Sequence, residues 1–533
     1  MTEQPPATAS VEHPIEAAVR AGYTFEGPAL ELGALMLDAT TTTDVPVRIP
    51  LGMLNRHGLV AGATGTGKTV TLQLLAEQLS HAGVPVFAAD IKGDLSGISV
   101  AAEGNDKIAA RSAKVGHDWQ ARGCPVEYYA IGGEGTGIPL RATMTAFGPT
   151  LLAKVLGLND TQESSLGLVF HYADKAGLPL LDLADLRAVV KHLVSDEGKA
   201  DLKDLGGLAA STAGVILREL IAFSDQGADA FFGEPEFESA DLLRTTADGK
   251  GLVSLVVLPN LQDRPAVFST FLMWLLADLF HDLPEVGDVD RPKLIFFFDE
   301  AHLLFRDASK DFLAAITQTV RLIRSKGVGV FFVTQSPTDV PDDVLAQLGS
   351  RVQHQLRAHT PNDAKALKQT VDTYPHTEYD DLGEVITSLG IGEAVVTVMN
   401  ERGAPTPVAW TLLRAPESRM GPADADAMTA TVQASPLHAK YSESIDRESA
   451  HEKLAAKVEA GAAKAEAEAA AGAEQGGGSP GGGMSYPKQT TRKAPTSAKG
   501  DVVKDIINSP VAKDLMRTAT REILRGVFGV GRR

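Results

Sequence analysis

The stretch that most constrains this chain is Gly62-Ala63-Thr64-Gly65-Thr66-Gly67-Lys68-Thr69, set between the apolar run Gly58-Leu59-Val60-Ala61 and a leucine-rich segment opening at Val70. The spacing G-x-x-x-x-G-K-[ST] makes a loop whose backbone N–H groups turn inward around a triphosphate, with a lysine for the β and γ phosphates and a hydroxyl for Mg²⁺. Gly62, Ala63, Thr64, Gly65, Thr66, Gly67, Lys68, Thr69 and Val70 are therefore the candidate nucleotide cradle, and Thr69 a candidate metal ligand. Leu72, Leu74, Leu75 and Leu79 ahead of Gly83 predict a helix over 70–80, its positive end aimed at the phosphates. Strand, loop and helix in that order commit the chain to an α/β core.

A second signal lies more than two hundred residues on. Leu294-Ile295-Phe296-Phe297-Phe298-Asp299-Glu300 is a bulky run suited to a strand buried on both faces, with two carboxylates at its carboxyl end. In phosphate-loop enzymes an aspartate there holds Mg²⁺ and an adjacent glutamate polarises the attacking water, roles that fit Asp299 and Glu300. The strand predicted over 329–335 ends in Gln335, a candidate sensor of the γ-phosphate if it neighbours the strand of Asp299; a polar strand end bonding its own loop is the plain alternative. Val84–Ala89 predicts another strand, and Asp90 at its end either faces the ligand or caps a turn. Arg321 and Arg324 share a helix face, where one guanidinium could serve a neighbouring subunit's nucleotide; a solvated basic face is the alternative. His354 reads as a strand side chain rather than a ligand.

The remaining sequence sets the organisation. With 533 residues, 44% apolar and 22% charged, most of the chain has the composition of a folded protein. Residues 1–50 read as a leader or small β element. The core is expected over 51–148 and 246–420, interrupted by a helical insertion over 149–245. A helical extension over 421–459, a flexible Ala/Glu-to-Gly/Ser/Pro linker over 460–500 and an amphipathic basic tail helix over 501–533 follow. No apolar run is long enough to span a bilayer and the polar start lacks the parts of a signal peptide, so a cytoplasmic protein without membrane insertion is expected. The single Cys124 excludes an internal disulfide and reads as a small core residue. A net charge of −18 argues against a broad nucleic-acid-binding face but leaves room for a narrow basic channel in a ring.

Taken as an ordered set, the motifs resemble the HerA/FtsK superfamily of ring ATPases, most closely the YjgR-type HerA-like proteins. The matching segments are the loop at 62–69, Asp-Ile-Lys-Gly-Asp-Leu-Ser-Gly at 90–97, Phe-Asp-Glu-Ala-His at 298–302, Arg-Ser-Lys-Gly-Val-Gly-Val at 324–330, Thr-Gln-Ser-Pro at 334–337 and Gly-Ile-Gly-Glu-Ala at 390–394. The resemblance implies a RecA-like P-loop NTPase core with a mainly parallel sheet, hydrolysing ATP with Mg²⁺ between subunits of a homo-hexamer. By the same match Lys68 and Thr69 attend the nucleotide and metal, Asp299 and Glu300 are the metal-associated and water-activating pair, Gln335 is the sensor and Arg324 the finger. Few residues precede Gly62 for the N-terminal barrel of a HerA helicase, and nothing resembles the membrane helices or DNA-reading tail domain of FtsK. ATP hydrolysis is thus implied more directly than DNA translocation. The rival reading is a nucleotide-gated scaffold acting on a protein partner; a kinase-like transferase fits less well, because Asp299, Glu300 and Gln335 point to water as the acceptor.

Overall fold

The structure is a computed structural model that describes residues 13–202, 205–258, 265–287, 289–306 and 310–475. The described residues up to Ala450 form one compact unit. Its strands are β1 (Ala29–Leu37), β2 (Thr40–Pro50), β3 (Gly58–Ala61), β4 (Val86–Asp90), β5 (Val126–Ile131), β6 (Ile138–Leu140), β7 (Val253–Val257), β8 (Leu294–Phe298), β9 (Val328–Thr334), β10 (Ser350–Gln353), β11 (Glu393–Thr397) and β12 (Ala409–Leu413). All twelve join one sheet in the order β2-β1-β12-β11-β10-β3-β9-β8-β4-β7-β5-β6.

From β10 to β6 every pairing is parallel, and from β2 to β10 every pairing is antiparallel. The parallel strands β3, β4, β5, β8 and β9 are buried along their whole length, as their predominantly apolar sequences favour. Bulky Phe296, Phe297 and Phe298 meet Phe87, Phe331 and Phe332 at ring-centroid distances of 4.8, 5.4 and 5.6 Å, so the strand carrying the acidic pair is wedged into the sheet centre.

The N-terminal residues belong to this sheet. Asp38 and Ala39 have φ of 46° and 61°, the left-handed pair of a tight two-residue hairpin turn, and fold β2 back on β1. Gly33 lets β1 approach β12, since a Cβ there would stand 1.9 Å from the Leu412 carbonyl oxygen. Cys124 is buried, as its apolar setting predicts.

Between β6 and β7 the described residues form helices, including Pro149–Val155, Asp160–Lys175, Leu183–Val194 and Ala210–Asp225. The second opens on a capping box made by Asn159 and Gln162, and the third on one made by Asp182 and Asp185. This helical region is tied to the core through Phe231, whose ring packs edge-on against Phe271 and Trp274 of the apolar helix Pro265–Asp282.

The helix Ala450–Gln475 corrects the expected linker: residues 460–475 are helical because Ala, Glu and Lys, the strongest helix formers, fill them up to the glycine run at 476. The rest of that linker and the basic tail over 501–533 lie outside the described residues. No helix among the described residues is long and apolar enough to cross a membrane.

Candidate nucleotide site

The phosphate loop is pinned by the strands on either side of β3. The Gly62 amide donates to the Thr334 carbonyl at the end of β9 (3.2 Å), and the Ala63 amide donates to the Gln355 carbonyl just past β10 (2.8 Å). Gly62 is packed so closely that a Cβ would lie 2.5 Å from His354 Cβ. Gly65 and Gly67 have φ of 83° and 117°, the left-handed region that glycine enters without steric cost. A Cβ on Gly65 would meet nothing within 4 Å, so this part of the loop faces open space.

The helix Lys68–His81 starts at Gly67 with no side-chain cap, unlike the helix Asp106–Val115, where the Asn105 side chain accepts from the Ile108 amide. Its first amides are therefore available to an anion, where the helix dipole favours one. Lys68 is buried and its Nζ folds back to donate to the Gly62 and Ala63 carbonyls at 2.7 and 3.3 Å. Burial lowers its pKa, against the pull of Glu300 and Asp299, so those carboxylates act electrostatically on this lysine. Thr69 and Val70 are half-buried in the first turn, and Ala63 and Thr64 line the loop's outer side.

β9 lies between β3 and β8, so the carboxyl ends of all three strands meet at one edge. Asp299 and Glu300 follow β8 directly. Asp299 Oδ1 accepts from the Glu300 amide at 2.9 Å, while Oδ2 is buried without a hydrogen-bond partner. Burial, then the neighbouring Glu300 charge, raises the Asp299 pKa to about 7.

Glu300 has φ of 49°, a left-handed geometry that costs a non-glycine residue on the order of 1 kcal/mol. Its Oε1 pairs with Lys92. Its Oε2 lies 3.3 Å from His302 Nδ1 without forming a hydrogen bond. Burial works to raise the Glu300 pKa, but Lys92 outweighs it and holds the group below its ordinary value.

Gln335 is exposed at the end of β9, on a turn shaped by Asp339, whose Oδ2 accepts from Thr334 Oγ1 at 2.8 Å and from the Ser336 amide at 2.9 Å. This is the edge between β3 and β8 that the sensor reading requires. Arg324 stands apart, in the short turn Arg324–Lys326 before β9, where its charge acts on buried His57. A seven-residue strand places it about 20 Å from the phosphate loop of its own chain. Arg321, one turn earlier, is exposed.

Asp90 takes the turn-capping alternative: its two oxygens accept from the Gly93 and Leu95 amides at 2.7 and 2.9 Å, and burial raises its pKa to about 6. The turn it shapes carries Lys92 to Glu300, a contact hidden in the sequence by the long separation of the two residues.

His354 is also more than a strand side chain. Its Nδ1 faces the Glu393 carbonyl at 3.0 Å and must donate, leaving Nε2 to accept from the Thr71 hydroxyl at 2.9 Å. Burial lowers its pKa to about 4, which keeps this buttress neutral beneath the loop.

Among the described residues no cluster of three or more His, Cys, Asp or Glu side chains forms a metal cage. Thr69 and the unpartnered Asp299 oxygen nonetheless fit Mg²⁺, which is commonly held by one or two protein oxygens plus phosphates and water.

Comparisons with known proteins bear on the family and the fold. The sequence model of the helicase HerA-like C-terminal family matches residues 36–533. The DNA double-strand break repair helicase HerA of Saccharolobus solfataricus is 20% identical over 375 residues, covering 68% of this chain and 66% of the relative. Its counterpart in Sulfurisphaera tokodaii is 23% identical over 368 residues with the same coverage. The chain thus spans just under two thirds of the length of these relatives. Among solved structures, unbound bacterial conjugative coupling protein TrwBdeltaN70 aligns with a TM-score of 0.50 and 16% identity over 76% of this chain and 94% of that one. TrwB in complex with the non-hydrolysable ATP analogue ADPNP aligns with a TM-score of 0.50 and 17% identity over 75% of this chain and 98% of that one. The shared fold is the RecA-like P-loop NTPase fold.

Proposed function

The chain belongs to the helicase HerA-like C-terminal family, and from that membership we propose that it is an Mg²⁺-dependent ATPase that assembles as a homo-hexameric ring and uses hydrolysis to translocate or remodel DNA. The observation that carries the enzymatic part is the meeting of Lys68, Asp299, Glu300 and Gln335 at the carboxyl ends of β3, β8 and β9.

In this reading the amides of 62–70 bind the phosphates, and Lys68 leaves its loop carbonyls to neutralise the β and γ oxygens. Thr69 Oγ1 and Asp299 would hold Mg²⁺, which when bound neutralises charge on the terminal phosphates. Glu300, ionised at neutral pH, orients a water and accepts its proton as the water oxygen attacks the γ phosphorus and the ADP oxygen leaves. Gln335 donates to the γ-phosphate or the attacking water and reports hydrolysis to the turn held by Asp339. Arg324, on the far end of the sheet from its own loop, serves the nucleotide of a neighbouring subunit, which gives the ring its catalytic purpose.

The net charge of −18 favours a second reading, in which the same ATPase acts on a protein partner without moving nucleic acid. Steady-state turnover decides between them. The unaltered chain hydrolyses ATP and Lys68→Ala does not; DNA raises the rate, and the stimulation fades steeply with salt. Turnover indifferent to Lys68 removes the ATPase reading, while turnover indifferent to single- and double-stranded DNA favours the protein partner.

A further inference from the structure

We propose that Ile391, in the turn ahead of β11, is the surface on which the base of the bound nucleoside triphosphate rests. The proposal builds on the nucleotide-binding reading above and names the part of the site that selects the ligand class.

The phosphate loop has a chemical polarity. Asp299, Glu300 and Gln335 all lie on the β9 and β8 side of β3, so the terminal phosphate belongs there. The nucleoside must leave toward the other side, where β10 and β11 lie.

The turn before β11 touches the loop from that side. The Gly392 amide donates to the Thr66 carbonyl at 3.2 Å, and a Cβ on Gly67 would meet Gly392 N at 3.5 Å. The turn is firmly held: the Arg111 guanidinium donates to the carbonyls of Ile391 and Gly392, each at 3.2 Å, and to that of Leu413 at 2.9 Å. Glu393 Oε2 accepts from the Gly390 amide and from Trp410 Nε1, each at 3.0 Å.

On this fixed backbone the Ile391 side chain is 77% exposed. A lone exposed aliphatic residue is ordinary on a protein surface; this one stands beside a triphosphate cradle, on the side left to the nucleoside. The carbonyls of Gly390, Ile391 and Gly392 are all engaged within the protein. What the turn offers is therefore an aliphatic face, which suits the flat face of a purine and does not read its hydrogen-bonding edge. The site takes nucleoside triphosphates by contact with the face of the base and discriminates little between adenine and guanine.

The test is calorimetric titration of the full chain with non-hydrolysable ATP and GTP analogues and with inorganic tripolyphosphate. Ile391→Ser is expected to raise the Kd of both nucleotides by about five- to tenfold, the loss of part of one aliphatic contact, and to leave the tripolyphosphate Kd unchanged. Ile391→Phe restores nucleotide affinity. The proposal is overturned if Ile391→Ser binds both nucleotides as the unaltered chain does, if it weakens tripolyphosphate equally, or if it weakens only one of the two bases. A change in assembly mass on Ile391→Ser, with nucleotide binding intact, would assign the residue to a subunit contact instead. If the unaltered chain binds none of the three ligands, the nucleotide-binding reading falls as well; normal tripolyphosphate binding with an indifferent Ile391 removes only this inference.

Discussion

Replacing Asp299 by Asn is expected to stabilise the protein while disabling the site, and to do so only above mildly acidic pH. The Asp299 carboxyl is raised from the ordinary 3.8 to about 7. Between those values the native chain holds a proton that the unfolded chain has lost, so stability falls as pH rises through this window. At about 1.4 kcal/mol per pH unit the ionisation penalty has a ceiling of about 4 kcal/mol above pH 7. Asn keeps the Oδ1 acceptor for the Glu300 amide but puts an NH₂ where Oδ2 has no partner, a loss of about 1–3 kcal/mol. The difference leaves Asp299→Asn more stable by about 1–3 kcal/mol at pH 8 and close to the unaltered chain at pH 5, where only about 1.6 kcal/mol of the ionisation penalty has accumulated and the unpartnered NH₂ offsets it. Urea unfolding of both chains at pH 5 and pH 8, without nucleotide or metal, measures it. A variant less stable at pH 8, or a gain equal at both pH values, would refute the argument that an unpaired buried carboxylate is being held for a ligand.

Glu300→Gln should lower kcat by roughly 10²–10⁴-fold, the usual worth of a general base, while nucleotide titration still shows binding; turnover near the original rate would remove the residue from that role. Arg324→Ala and Lys68→Ala chains, each inactive alone, should recover turnover on mixing, because some interfaces then pair an intact Arg324 with an intact Lys68; mixtures that stay inactive despite co-assembly argue against action in trans. Glu77 is fully buried in the phosphate-loop helix and accepts from the Glu417 and Ser418 amides and from the Ser418 hydroxyl. Glu77→Ala should therefore lower unfolding free energy by about 2–4 kcal/mol, and Glu77→Gln by less because an acceptor remains; equal losses in urea unfolding would contradict this.

What the sequence disclosed follows from distance along the chain. The loop at 62–69, the helix after it and the strand ending in Asp299-Glu300 are contiguous patterns, so their type and order could be read directly. The placement of β9 between β3 and β8, on which the Gln335 reading depends, was a condition the sequence could state but not meet. Contacts made across the fold were silent. Lys92 reaches Glu300, His354 braces Gly62 and Thr71, and Glu77 receives the segment at 417–418, each through a separation that no local pattern encodes. His354 could have been suspected, because a histidine at the end of an apolar strand must find partners for both ring nitrogens. The helix over 460–475 differs from the linker expected there because the glycine run begins only at 476, while its own alanines and glutamates favour a helix.

The central claim is that the loop at Gly62–Thr69 and the carboxylates after β8 close around one nucleotide. A crystal structure of the protein with Mg²⁺ and a non-hydrolysable ATP analogue tests it most directly. The account predicts the triphosphate along the amides of 62–70, Lys68 Nζ moved from the Gly62 and Ala63 carbonyls onto the phosphates, and Asp299 facing the metal. A nucleotide bound elsewhere, or Lys68 still donating to its own loop with the analogue in place, would contradict it.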